Sequence, residues 1–237
     1  MVMLGSDVEL AVVNKDGVPV DVTGMLGGSK DAPVWFDNFN VQEDNVNAEY
    51  AINPVESLDN WLLYHDSAIT KVKQLLPEGY GVLFNACTQY SLDQLESESA
   101  KRSGCDPDFS AWNGMPNPTP ALKDMRSCGG HIHVGVDGID RVQLIKWMDV
   151  MLGLPSLYMD SDKQRRGMYG KAGSYRPKPY GVEYRALSNF WAQTPSGLEW
   201  AYTQTKKAVE FCFTDMLNDI PVLYSVPQAM DTYDMFM

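Results

Sequence analysis

Apolar and polar positions alternate along residues 2–13, and this period of two predicts a β-strand. Asn14-Lys15-Asp16-Gly17 is a turn signal, and residues 18–22 predict the return strand of a hairpin. A glycine-rich loop follows over 23–33. Two further strands are expected over 35–41 and 46–52, turning near Glu43-Asp44-Asn45 and closed by Pro54. The period then changes. Leu58, Trp61, Leu62, His65, Ile69, Val72 and Leu76 recur at helical spacing behind Ser57 as cap, and Pro77 and Gly79 stop the helix. Residues 80–86 predict a strand and 91–100 a short helix. Four prolines between 103 and 120, with Phe109 and Trp112 to bury, predict a surface loop or lid. A strand over 130–136 is entered through Gly129-Gly130. Asp140 caps a helix that buries Val142, Ile145, Met148 and Leu152. Residues 160–180 read as a basic loop and 181–187 as a strand. Ser196 caps a long final helix carrying Leu198, Ala201, Tyr202, Thr205, Val209, Phe213 and Met216, and 218–237 reads as an extended tail. Hairpins and helices without strict βαβ alternation predict an α+β fold on a mainly antiparallel sheet.

The chain has 237 residues, 44% of them hydrophobic, which suits one catalytic-size domain over 1–237 with its own core. Its formal net charge of −12 disfavours nucleic acid and anionic membrane as partners and leaves carboxylates for cations. No apolar run is long enough to span a bilayer, and the first residues lack the basic and apolar regions of a secretory signal. Cys87, Cys105, Cys128 and Cys212 are scattered without a CxxC, as expected of reduced thiols in a cytoplasmic protein.

Three pairs change the picture: Asp7-x-Glu9, His131-x-His133 and Glu183-x-Arg185. Each falls in a predicted strand, so both members of a pair point to one sheet face. Asp7 and Glu9 lie in apolar sequence, where two carboxylates need a cation or solvent. Asp44 and Glu49 repeat the theme, with Glu43 read as part of a hydrated turn. His131 and His133 sit in GGHIHVG, held by glycines that let a ligand or backbone approach. They could supply metal ligands or phosphate donors. Cys128 three residues earlier opens an alternative, a zinc hydrolase using Cys128, His131 and His133, without the usual spacing for a fourth ligand. His65, on an apolar helix face, reads as a buried, hydrogen-bonded histidine. Seven of the 19 basic residues (Lys163, Arg165, Arg166, Lys171, Arg176, Lys178 and Arg185) fall within 163–185, beside one acid, Glu183, which marks an anion site. No Walker A loop and no nucleophile elbow occurs.

The order D-x-E, an acid before a proline, GGHIHVG, a basic loop and VEYRALSNF resembles the carboxylate–amine ligases related to glutamate–cysteine ligase and glutamine synthetase, above all their phage branch. The resemblance runs from about Gly5 to Asn189. It implies a curved antiparallel sheet with helices on its outer face, in a glutamine-synthetase-like catalytic domain. It implies ATP and Mg²⁺ (or Mn²⁺) as cofactors, with Asp7, Glu9, Asp44, Glu49, His131 and Glu183 as metal ligands. Arg185, Arg176 and Arg165 would serve catalysis, and Arg165, Arg166, Lys171, Arg176 and His133 would bind nucleotide. The implied reaction joins a carboxylate to an amine (of an amino acid, peptide or small metabolite) through an acyl phosphate. A structural or binding descendant of the fold, without activity, is the remaining alternative.

Overall fold

A computed structural model describes residues 1–101, 108–118, 123–214 and 226–232. In chain order the strands and helices are β1 (Val2–Val13), β2 (Pro19–Val20), β3 (Val34–Trp35), β4 (Phe39–Asp44), β5 (Asn47–Val55), α1 (Leu58–Leu75), β6 (Gly81–Leu83), β7 (Cys87–Gln89), α2 (Glu98–Lys101), β8 (Phe109–Ser110), β9 (Met125–Ser127), β10 (Gly130–Val136), α3 (Arg141–Met148), α4 (Leu154–Met159), α5 (Gln164–Met168), β11 (Ser174–Lys178), β12 (Gly181–Tyr184), α6 (Pro195–Phe213) and α7 (Val226–Thr232). The fold is α+β. Its main sheet runs β3-β4-β5-β1-β10-β12-β11-β8, β2 and β6 pair with the far end of β1, and β7 and β9 form a separate ribbon. All pairs of named strands are antiparallel. Among the described residues no helix is long and apolar enough to cross a membrane.

The two faces of the sheet have different chemistry because side chains alternate along each strand. Leu4, Val8, Leu10, Ala48, Tyr50, Ile132, Val134, Val182 and Tyr184 are fully buried on the face that meets the helices. Three polar groups tie that face to the helical layer. Ser6 Oγ and Tyr50 OH lie 3.2 and 2.9 Å from the imidazole of His65 on α1, and Tyr184 OH donates to Asp149 between α3 and α4 at 2.8 Å. Trp61 Nε1 donates to Leu198 O and links α1 to α6. The odd-numbered positions of β1, β10 and β12, and those of β5 before its bulge, therefore point to the other face, away from the helices.

Several elements differ from the sequence reading. β5 continues through Pro54, because the β1–β5 register slips by one residue there and the bulge carries the exposed proline. The strand expected over 80–86 shrinks to β6, and the helix expected over 91–100 splits into a 3₁₀ turn at Leu92–Leu95 and α2. The helix capped by Asp140 continues through a wide π turn, Asp149–Gly153, into α4. It buries Leu144, Ile145, Trp147 and Met148 and leaves Val142 partly exposed. The stretch read as a basic loop folds into α5 and β11. The cap of α6 is Thr194, which accepts from Gly197 N at 3.1 Å, not Ser196, because Pro195 takes the first helical position. Part of the expected loop over 103–120 is edge strand β8, followed by a turn and irregular chain over 111–118, and part of the expected tail is α7; Cys105 and Met216 lie outside the described residues.

His65 bears out the expectation of a buried, hydrogen-bonded ring. It has no exposure and packs edge-on to Trp61 and Trp191. Burial lowers its pKa from 6.5 to about 3. The folded state thus holds His65 neutral while the unfolded chain takes up a proton below pH 6.5. The stability this contributes is full above 6.5 and is lost as the pH falls towards 3. Urea unfolding at pH 7 and pH 5 should show the wild type losing about 2 kcal/mol more than His65→Phe over that interval. Equal losses in the two proteins would mean that the ring already carries a partner for its charge.

Candidate active site

Strand register brings the three pairs together. Asp7 on β1 lies opposite His131 on β10, and Glu9 lies opposite Glu49 on β5. His133 faces Glu183 on β12, which faces Arg176 on β11. Asp44 is near the turn end of β4, opposite Asn47 and two residues from Gln42, the partner of Glu49. All these side chains occupy the face opposite the helices, in one band that is acidic at β4, β5 and β1 and basic at β11 and β12.

At the acidic end Glu9, Asp44 and Glu49 each place a carboxylate oxygen within 4.8 Å of the others. Gly129 N donates to Glu9 Oε2 at 2.7 Å, and Lys30 reaches Asp44 at 3.8 Å. These contacts leave three carboxylates facing one another. Burial, then repulsion from Asp7, Asp44 and Glu9, pushes the Glu49 pKa well above its usual 4.5; burial first also raises Glu9. Such crowding is what a divalent cation neutralises.

A second group joins Asp7, His131 and Glu183, again within 4.8 Å. His131 Nδ1 lies 2.6 Å from Asp7 Oδ1, and His133 Nε2 lies 3.1 Å from Asp7 Oδ2. Burial alone would raise the Asp7 carboxyl, but the two imidazoles outweigh it and hold Asp7 well below the carboxylate range. His133 Nδ1 also meets the hydroxyl of Tyr180. His131 Nε2 is buried and has no hydrogen-bond partner among the described residues. A Cβ at position 129 would strike that nitrogen, so glycine there keeps the space in front of it clear.

Glu183 is the hub of the basic end and is 1% exposed. Arg185 Nη1 donates to it, Lys178 Nζ lies at 2.7 Å, Arg176 at 3.6 Å and His131 at 3.8 Å. Burial and the nearby Asp7 would raise its pKa, yet Arg185 and the two histidines bring it down to about 2. Arg185 Nη1 also lies 3.2 Å from His131 Nδ1, so the cationic end touches the histidine directly.

Arg165 on α5 is buried beneath this face. Its Nη1 and Nη2 donate to Ala186 O and Arg185 O, each at 3.2 Å, and Glu9 is among the charges that act on it. Gly129 and Gly170 make room for its guanidinium, since a Cβ at either would meet it. Arg166 and Lys171 turn elsewhere. Arg166 Nη2 donates to Ser156 Oγ on α4, and both side chains act on Asp231 of α7, on the helical side. Adjacent helical residues diverge by about 100°, so Arg165 and Arg166 cannot both face the sheet. Cys128 is not gathered with the histidines. Among the described residues neither group of possible metal ligands includes it, and burial first, with Glu9 and Cys87, pushes its thiol well above the usual value. Sequence reasoning missed two residues here: Lys178, counted only as part of the basic loop, and Asp108, whose carboxylate lies 3.6 Å from Arg185 Nε.

Residues 122–206 match the family described as "Phage phiEco32-like COOH.NH2 ligase-type 2". That segment carries His131, His133, Arg165, Arg176, Glu183 and Arg185; the acids of β1, β4 and β5 precede it. No curated protein matches the chain. Among solved structures it is similar to one titled "Crystal structure of novel glutamine synthase homolog", at 12% identity and a TM-score of 0.35. The similarity covers 99% of this chain and 66% of that one, so this chain spans just under two thirds of its length.

Proposed function

We propose that this chain is an ATP- and Mg²⁺- or Mn²⁺-dependent carboxylate–amine ligase working through an acyl phosphate. The observation that carries the reading is the single band of side chains in which two carboxylate-rich groups adjoin three cations, Arg176, Lys178 and Arg185. The family matched by residues 122–206 supports the same reading.

The residues fit a divalent cation. The mutual repulsion of Glu9, Asp44 and Glu49 is relieved by one, and His131 Nδ1 stands between the carboxylates of Asp7 and Glu183. Glu9, Asp44 and Glu49 would hold one ion, and Asp7, His131 and Glu183 another. Bound there, Mg²⁺ or Mn²⁺ supplies positive charge against which the triphosphate is held and polarised. The chain's own groups do the rest. Arg185 and Arg176 hold the substrate carboxylate and the γ-phosphoryl group near one another and offset charge on the transferred oxygens. Lys178 adds a third positive charge. Asp7 keeps the rings of His131 and His133 in fixed orientation.

In the first step a carboxylate oxygen attacks the γ-phosphorus, the bond to ADP breaks, and an acyl phosphate forms. In the second the amine attacks the acyl carbon, inorganic phosphate leaves, and the amine gives up a proton. A nucleophilic side chain has no part in either step. The protein positions the reactants and neutralises charge.

The test is ADP release by the purified chain across a panel of amino acids, peptides and amines. Release should require Mg²⁺ or Mn²⁺ together with a carboxylate and an amine. Arg185→Lys keeps the charge but loses the planar fork, so it should cut turnover by about tenfold or more while cation-dependent nucleotide binding persists. Absence of both ADP release and any thermal shift with saturating MgATP would overturn the assignment.

A further inference from the structure

We propose that Asp108, on the edge of the sheet, is a positioning residue that sets the plane of the Arg185 guanidinium. The chemical purpose given to Arg185 rests on the ligase reading; the contact itself does not.

β8 pairs with β11 through Ser174↔Ser110 and Tyr175↔Phe109. Carrying that antiparallel register one residue further puts Asp108 beside Arg176, which is itself opposite Glu183. Alternation then turns Asp108 to the face that holds Glu183 and His133. Its carboxylate, 17% exposed, lies 3.6 Å from Arg185 Nε. That Nε is buried and has no hydrogen bond among the described residues. On the opposite edge of the same guanidinium, Nη1 is held by Glu183 and His131. Two carboxylates thus flank the guanidinium on its two sides, Glu183 by a hydrogen bond and Asp108 by an ion pair. A planar fork hydrogen-bonded at Nη1 and drawn towards a carboxylate at Nε presents its N–H groups in a fixed direction.

The segment around Asp108 is built to hold it there. Ala111 N donates to Gly173 O at 3.0 Å, Asn117 Nδ2 to Ser174 Oγ at 3.1 Å, and Trp112 Nε1 to the buried Asp149. Gly173, at φ 72°, permits this approach, since a Cβ there would meet Ala111 N at 2.8 Å. A short stretch at the sheet's end is pinned at three points while its first acid reaches Arg185.

Side-chain ¹H–¹⁵N spectra of the full chain read the contact directly, the Arg185 Nε–H signal being assigned by its loss in Arg185→Lys. In the wild type that proton should exchange slowly; in Asp108→Asn its protection should collapse with the melting temperature little changed. In ADP release, Asp108→Asn should lower kcat by about tenfold with KM for ATP within about twofold, and Asp108→Glu should recover part of it. The same substitution should cost nothing further in an Arg185→Lys background, because residues acting as a unit are not additive. Unchanged Nε–H exchange in Asp108→Asn, or full additivity of the two substitutions, overturns the proposal. Asp108→Ser serves for the same readings if Asp108→Asn does not fold. A wild type that releases no ADP would sink the ligase reading while the exchange measurement still decides the role of Asp108.

Discussion

Glu183→Gln should destabilise the protein by about 3–5 kcal/mol, the cost expected when one member of a buried charge network is neutralised. Glutamine keeps the shape of the side chain, so the resemblance to the ligases makes the substitution chiefly a probe of metal-dependent activity. In the fold, Glu183 compensates Arg185, Lys178 and Arg176 together, and at 1% exposure water cannot take its place. The pH dependence carries the same signature. Its pKa is about 2 in the fold against 4.5 for the free group. The stability it contributes is complete above pH 4.5 and is lost as the pH falls towards 2. Wild-type and Glu183→Gln unfolding curves should therefore lie far apart at pH 7 and converge in acid. A variant within about 1 kcal/mol of wild type at pH 7 would mean that the cations around position 183 are solvated, contrary to what their burial implies.

Local sequence made the pairs on β1, β10 and β12 legible because a period of two is a property of the strand itself. Knowing that Asp7 and Glu9 share a face requires nothing beyond their spacing. The convergence of Asp44 and Glu49 on Glu9 was harder. It depends on the β5–β1 and β4–β5 registers, which residues 35–55 fix only approximately, since the chain runs through Pro54 by a bulge. His65 was legible for the opposite reason: its helix face was apolar, and only one outcome is cheap for a histidine there.

The misses share a cause. α5, β11 and β8 are short elements, the first two carrying glycine or proline and basic residues, and their form is set by what they pack against. Arg165 and Arg166 were both expected to bind nucleotide, and helical rotation on α5 sent one beneath the site and the other to Ser156. Asp108 stood among prolines, with no alternation to announce a strand. Its position follows from two pairs with β11, a contact between residues more than sixty positions apart. Composition marked this stretch as anion-binding; tertiary register decided which cations reach the face.

Glu49→Gln should do the reverse of most active-site substitutions and stabilise the protein in the absence of divalent cations. Glu49 is 8% exposed, and burial, then Asp7, Asp44 and Glu9, raises its pKa well above 4.5. For a group raised in the fold, the favourable contribution is present below the unfolded value and is lost as the pH climbs through the folded one. At neutral pH, in EDTA, the cluster therefore works against folding, and removing one charge relieves Glu9 and Asp44 as well. A gain of about 1–2 kcal/mol is expected, which for a chain of this size is a rise of about 2–8 °C in Tm. Mg²⁺ or Mn²⁺ should raise the Tm of the wild type at pH 7, little at pH 4, and hardly at all in Glu49→Gln, because an ion that binds only the folded state stabilises it by mass action. The two arms cross: the variant leads in EDTA and the wild type leads at saturating cation. Should Glu49→Gln melt below the wild type in EDTA and keep its full response to Mg²⁺, the carboxylates of β1, β4 and β5 would be a structural network, and the cation would have to be sought at Asp7, His131 and Glu183 alone.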